Sequence, residues 1–308
     1  MPRTSRVTDN YDEPWKAAIE RLFPYMMQFF HPRLHARIDW DKGFHFLNDD
    51  LNKISSPEGK KGTRYVDKLV SVLMNDGNEE LLYIHLEVQS DRDDSFPERM
   101  YMYYYRLCDK YGKRIVSLAI LGDTDPKWRP NKYKQGQHGC SIAFKFPMVK
   151  LLDYEKEWEE LELSPNPFAL VVMAHLKTKR TSKNQKERAH WKYLLMRMAV
   201  SRGMEEEVVG ALYAFVDWVM KVPVELDNKV AQELIINIGA KEMEYINRWQ
   251  QEGEVKGQLS FLKKLLQEKF GELPAWALAK VESATASVLA AWFDAALHKN
   301  SLEEVLSS

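Results

Sequence analysis

The chain has 308 residues, 45% of them hydrophobic, which exceeds one typical domain of roughly 100–200 residues and can support a sizeable core. Its formal net charge of -1 argues against a protein that coats polyanions over its whole surface, and its two cysteines, Cys108 and Cys140, are too few for a disulfide framework or a Cys-rich zinc site. No apolar run of about 18 residues occurs and no apolar stretch follows Pro2 Arg3 Thr4 Ser5 Arg6, so a soluble, cytoplasmic protein without a membrane partner is expected.

Asp12 to Phe30 carries Trp15, Ile19, Leu22, Phe23 and Met26 at helical spacing and predicts an amphipathic helix over the core. His31 and His35 follow four apart, but Pro32 between them argues against a regular helix and a metal pair. A second helix is expected over Lys42 to Ile54, with Asp49 and Asp50 on it, ending in the turn cluster Ser55 Ser56 Pro57 Glu58 Gly59. Arg64 to Leu73 is rich in β-branched and apolar residues, and Asn75 Asp76 Gly77 Asn78 is a strong turn signal. Beyond it, Leu82, Ile84, Leu86 and Val88 alternate with Tyr83, His85, Glu87 and Gln89, the period of a strand buried on one face. A hairpin of these two strands brings Asp67 beside Glu87 and Gln89. An acid on one strand and an acid plus an amide on the next suit a divalent cation, because hard cations take oxygen ligands held on rigid elements. His85 lies on the same strand face, where a lone histidine more often serves as a structural hydrogen bonder than as a base.

Ser95 with Glu98 three positions later is a capping-box signature, and Pro97 suits a first helical turn. The helix that follows carries Met100, Tyr104, Leu107 and Tyr111 on one stripe and Arg99, Tyr103, Arg106 and Lys110 on another, and Gly112 ends it. Arg114 to Leu121 reads as a strand, parallel to its neighbour because a helix separates the two. Ile142 to Val149 reads as a further strand. Between them, Lys127 Trp128 Arg129 Pro130 Asn131 Lys132 Tyr133 Lys134 is a basic, aromatic loop able to meet nucleic acid, or simply a solvated one. The order α-α-β-β-α-β-β predicts an α/β fold, a mixed sheet flanked by helices and followed by an all-helical C-terminal region.

From Asp153 onward the periodicity is helical. Thr181 to Met204 forms one helix and Glu205 to Met220 another, the latter with Val208, Leu212, Phe215 and Val219 on its core face. Lys177, Lys179, Arg180, Lys183, Lys186, Arg188, Lys192 and Arg197 make a local basic patch in which Glu187 is the lone acid. A charged stretch, Gln250 to Gly257, precedes renewed apolar periodicity at Leu259, Leu262, Leu266 and Phe270. Ala275 to Ala296 and Leu302 to Leu306 read as short helices, a small module that needs a partner surface and serves homo-oligomerisation. The expected division is residues 1–160 for the sheet-bearing core, 161–238 for a helical extension and 239–308 for the C-terminal module.

The series Tyr65 Val66 Asp67, Ile84 His85 Leu86 Glu87 Val88 Gln89, Phe96 Pro97 Glu98 Arg99 Met100 and Tyr104 Tyr105 Arg106 Leu107 resembles the Rpn family of recombination-promoting nucleases, often labelled transposases. That family is similar to the PD-(D/E)XK nuclease superfamily, whose sheet carries an acid on one strand and an acid-x-lysine on the next. The resemblance covers roughly residues 12 to 160 and continues weakly through Asn166 Pro167 Phe168 and Met173 Ala174 His175 Leu176. The tail, with Phe270 Gly271, Leu273 Pro274 and Ser301 to Val305, resembles a helical domain often appended to the family. The resemblance implies a PD-(D/E)XK nuclease-like core with its first acid at Asp67, its second at Glu87, and Gln89 in the lysine position. It also implies an assisting helical acid at Asp50, with Asp49 as the competing register.

The expectation drawn from this is a Mg²⁺-dependent DNA endonuclease, with Mn²⁺ an alternative metal. Asp67 and Glu87 hold the ion, assisted by Asp50, and Gln89 orients water or phosphate. Arg99 and Arg106 face substrate phosphates, and Lys183, Lys186 and Arg188 bind DNA backbone. Since glutamine cannot supply a lysine's charge, the competing expectation is a catalytically inactive DNA-binding or assembly protein on the same fold. A true transposase is disfavoured by the lack of an evident helix-turn-helix.

Overall fold

A computed structural model describes residues 12–47, 66–75, 81–112, 114–238, 259, 262–263, 265–267, 269–271, 273–299 and 301–307. The chain divides into two compact units, Met1–Ile238 and Gly239–Ser308.

In the first unit, α1 (Asp12–Phe30) buries Trp15, Ile19, Phe23 and Met26 along one face. Its regularity breaks at Leu22 (φ -116°, ψ 23°), two residues before Pro24, whose ring cannot coexist with an undistorted preceding turn. A short α2 (Pro32–His35) follows, and then a 3₁₀ turn, Trp40–Lys42. The helix expected from Lys42 does not start there: β1 (Phe44–Phe46) pairs antiparallel with β2 (Val66–Leu73), Phe44 opposite Val72. Phe44 and Phe46 both pack on Phe23, at 5.1 and 5.7 Å between ring centroids, so tertiary packing of aromatic residues overrides the local helical pattern. The rest of that expected helix, with Asp49 and Asp50, lies outside the described residues.

β2 and β3 (Leu81–Gln89) are antiparallel, and β3 runs parallel to β4 (Ile115–Leu121). The connection from β3 to β4 is α3 (Phe96–Tyr111), the crossover helix that a parallel neighbour requires. The expected strand Ile142 to Val149 is two elements in two sheets. β5 (Lys132–Gln137) and β6 (Cys140–Lys145) form a separate hairpin, and β7 (Met148–Lys150) pairs parallel with β4 after Phe146 and Pro147 break the run. The main sheet therefore has the order β1-β2-β3-β4-β7.

Its two faces differ in chemistry. Ile84, Leu86 and Val88 lie on the face toward α1, where the buried Lys68 ammonium reaches Glu20 of that helix. His85, Glu87 and Gln89 lie on the other, beneath α3. Phe96 and Met100 of α3 pack with Ala119 and Leu121, and Leu107 packs with Leu69 and Ile115.

After α4 (Trp158–Leu163) come α5 (Phe168–Arg180), α6 (Gln185–Ser201), α7 (Glu206–Val219) and α8 (Val224–Ile238). α5 is buried on nearly every side, and Trp15 of α1 meets Phe168 of α5 and Phe215 of α7 at centroid distances of 6.0 and 5.6 Å. Residues 161–238 thus supply the packing for α1 within the same unit.

The second unit contains α9 (Ala275–Glu282), α10 (Ala286–His298) and α11 (Leu302–Leu306). Among the described residues, Leu262, Leu266, Leu273, Val281, Leu289, Trp292 and Val305 share one core. Ser301 accepts from the Glu304 N–H to start α11, and the Lys269 ammonium donates to the Ala296 and Lys299 carbonyls, both at 2.7 Å, at the end of α10.

Candidate functional site

β3 is the central strand, and its polar positions face α3. Glu87 pairs in register with Asp67 on one side and Ala119 on the other. Directly opposed residues on neighbouring strands have Cα atoms about 4.5–5.5 Å apart, so two acids share one rung. Only the backbone of Asp67 is described.

Glu87 is fully buried. Its carboxylate has His85 Nε2 at 3.4 Å and Arg99 Nη2 at 3.7 Å, in ion-pair range. Arg99, one turn into α3, is the hub. It donates to Gln89 Oε1 at 2.7 Å and to Asp93 Oδ2 at 2.6 Å, and stacks over Phe96. Gln89 is fixed at both ends, because its amide nitrogen donates to the Asp91 carbonyl at 2.7 Å. Gln89, expected to orient water or phosphate, has its amide held by Arg99 and by the Asp91 carbonyl, and Arg99, expected to face substrate phosphates, contacts Gln89 and Asp93 within the cluster.

Asp93 carries a role that sequence reading missed. Its Oδ1 accepts from the backbone N–H and the hydroxyl of Ser95, at 2.9 and 2.7 Å, while Oδ2 holds Arg99. Ser95 is the N-cap as expected, but its side chain makes no cap bond, so the capping box with Glu98 does not form. The Asp-x-Ser turn was the available signal.

His85 donates or accepts at Ser117 Oγ through Nδ1 (3.2 Å), packs edge-on to Tyr103 at 5.5 Å, and has no exposed surface. These are the surroundings of a structural histidine. Arg106 sits half-buried farther along α3.

Next to the site, at the ends of β4 and β7, Lys150 is buried against Asp123 (2.5 Å) and the Trp128 carbonyl (3.1 Å). The backbone N–H of Gly122 donates to the Gln89 carbonyl at 2.8 Å, and His175 Nε2 in turn donates to the Gly122 carbonyl at 2.8 Å. His175 Nδ1 accepts from Trp15 Nε1 at 3.2 Å, which fixes the tautomer. Burial drives the His175 pKa down to about 4, outweighing the Gly122 carbonyl, and the Lys179 charge adds to the fall. Burial likewise lowers His31 to about 4.

The basic patch largely dissolves. Arg188 is a correction: it is buried, donating to the Thr178 carbonyl (2.9 Å), the Lys221 carbonyl (3.3 Å) and Thr181 Oγ1 (3.3 Å), so it joins helices instead of meeting DNA. Lys192 is buried between Asp217 and Asp227, at 2.7 and 2.6 Å. Lys177 lies between the rings of Trp158 and Trp191, at 4.0 and 3.7 Å from their centroids, and Arg180 pairs with Glu155. Lys183, Lys186 and Arg197 remain exposed.

Glu87 and Asp67 are paired across one rung and are of the residue type whose oxygens hard divalent cations take, whereas the Gln89 oxygen is already taken by Arg99. Among the described residues, no group of three or more His, Cys, Asp or Glu side chains is arranged to hold a metal. No helix among them is long and apolar enough to cross a membrane. Compared with family models, curated proteins and solved structures, the chain matches none.

Proposed function

We propose that the protein is a metal-dependent DNA endonuclease with a PD-(D/E)XK-like core. The observation that carries this reading is the rung that pairs Asp67 with Glu87 on adjacent strands, two residues before Gln89 and under the arginine of a crossover helix. Asp67 and Glu87 would hold Mg²⁺ or Mn²⁺, which supplies Lewis-acid stabilisation of the charge built up on an attacked phosphodiester and lowers the pKa of water. The residues of the chain do the positioning. Arg99 restrains Glu87 and Gln89 together, and Asp93 holds Arg99 while fixing the start of α3, so the strand and the helix keep one geometry. Burial of Glu87 keeps its surroundings at low dielectric, where a charge acts more strongly than in water.

One observation favours a second reading, an inactive DNA-binding or assembly protein: the Glu87 charge already faces His85 and Arg99 in a buried cluster. Supercoiled plasmid incubated with the purified protein and Mg²⁺ or Mn²⁺ separates the two. The nuclease reading expects nicking that is lost in both Asp67→Asn and Glu87→Gln, with folding intact. If both variants nick like the wild type, the assigned site is wrong. If the wild type cleaves no form of DNA with either metal, the second reading stands.

A further inference from the structure

The β5–β6 hairpin stands apart from the main sheet and carries an unusual charge pattern. Between Asp125 and Asp153 the sequence contains six basic residues, Lys127, Arg129, Lys132, Lys134, Lys145 and Lys150, and no acid, in a chain whose net charge is -1. Two of the six are neutralised locally, Lys150 by Asp123 and Arg129 by Asp153. Lys132, Lys134 and Lys145 are exposed, and none makes an ion pair among the described residues. Desolvation, and after it the charge of Glu98 on α3, raises the pKa of the Tyr133 hydroxyl.

Strand register sharpens this. Lys132 lies directly opposite Lys145, and Lys134 shares their face two residues on. Like charges directly opposed across an antiparallel pair repel. Such an arrangement weakens the hairpin unless an anion is brought to it.

The hairpin is nevertheless built to hold its shape. His138 and Gly139, both left-handed (φ 50° and 84°), form the two-residue turn that matches strand twist. At the base, the Phe146 N–H donates to the Asn131 carbonyl at 3.0 Å, and Trp128 and Phe146 are buried with Phe96 and Met100 of α3. Tyr133 stacks on Tyr101 of α3 at 5.1 Å and 15°, and Phe144 stacks on Tyr104 at 4.6 Å. The same helix turn that anchors the hairpin through Phe96 and Met100 carries Arg99 to Gln89.

We infer that the β5–β6 hairpin is a rigid nucleic-acid-binding ribbon, its Lys132–Lys134–Lys145 face taking the phosphate backbone of duplex DNA beside the Glu87–Gln89–Arg99 cluster. Two-stranded ribbons have the dimensions of the DNA major groove, and unpaired lysines on a fixed scaffold complement a polyanion. The choice of DNA as the polyanion rests on the proposed function, whereas the opposed lysines do not.

The test keeps binding separate from cleavage. In a Glu87→Gln background, Lys132→Gln, Lys134→Gln and Lys145→Gln are combined, and binding to a fluorescent 30-base-pair duplex is followed by anisotropy over a range of NaCl. Loss of three phosphate contacts should lower the slope of log K against log salt by about 2.7 and weaken binding at least tenfold at low salt. Changing Lys183 and Lys186 to Gln should reduce that slope less. Since the triple change also removes the Lys132–Lys145 repulsion, its melting temperature should equal or exceed that of the parent, which excludes misfolding as the cause of weaker binding. An unchanged salt slope, absence of duplex binding by the parent, or lysine-dependent binding to phosphatidylserine vesicles in place of DNA would each overturn the inference. Loss of cleavage in other variants bears only on the nuclease reading.

Discussion

Acidification gives a direct handle on the contact between the core helices and the site. In the folded protein His175 is neutral, donating from Nε2 to the Gly122 carbonyl and accepting at Nδ1 from Trp15. Protonation would set a second N–H against the indole N–H and bury a charge, which is the physical reason the pKa falls to about 4 from 6.5. A folded pKa below the unfolded one means that the unfolded chain takes up the proton first. The contribution is therefore intact above pH 6.5 and is lost progressively as the pH falls toward 4. At about 1.4 kcal/mol per pH unit, the interval from 6.5 to about 4 amounts to about 3–4 kcal/mol. Urea denaturation of the wild type and His175→Gln, run in parallel at pH 7, 6, 5 and 4.5, isolates it. Glutamine retains one donor and one acceptor but does not titrate, and the acid sensitivity of His31 and of the carboxylates cancels in the difference. The stability gap between the two proteins should close by about 2–3 kcal/mol from pH 7 to pH 4.5. A gap that stays constant over this range would refute the assigned protonation state.

Two further perturbations probe the same neighbourhood. In Gly122→Ala the new Cβ would lie 2.7 Å from both Cε1 and Nε2 of a His175 ring held by Trp15, so a loss of about 1–3 kcal/mol is expected from thermal or urea melts, and an unaltered melting temperature would show that the ring can move. Gln89→Lys restores the commoner superfamily residue, yet it sets an ammonium against the Arg99 guanidinium in a position only 3% exposed. It should therefore destabilise the fold and leave plasmid nicking no faster than wild type, and a faster enzyme would show that Arg99 yields its place.

The strands that carry the site were legible because apolar Ile84, Leu86 and Val88 alternate with polar His85, Glu87 and Gln89 without exception, but the expected single buried face was not met: both faces are buried, the polar one beneath α3. The start of α3 was legible too, from Ser95 and Pro97, although the chemistry of its cap was not: Asp93 competes for Ser95, and a motif does not reveal which partner wins. Charge was the least readable property. Lys183 and Arg188 look alike in sequence, yet one is exposed and the other is buried among carbonyls, because a cation's fate depends on which oxygen atoms the helices bring to it. The hairpin was hidden by the continuity of the apolar run from Ile142 to Val149, which crosses Phe146 and Pro147 into a different sheet. α8 was overlooked, although the buried pair Val230 and Leu234 at helical spacing, after Pro223, was its signal.

The seat of Trp15 between α5 and α7 has a consequence for how the protein is made. The N-terminal helix leaves the ribosome long before the residues that cover it, since Phe168 and Phe215 lie far downstream. At about 5–20 residues per second, translating the roughly 200 residues between Trp15 and Phe215 takes on the order of 10–40 s. During that time the side of α1 that carries Trp15 lacks the cover that Phe168 and Phe215 give it. A nascent chain halted near residue 160 therefore presents the surface that chaperones bind, and ribosome profiling with chaperone capture should find occupancy ending only after α7 has emerged.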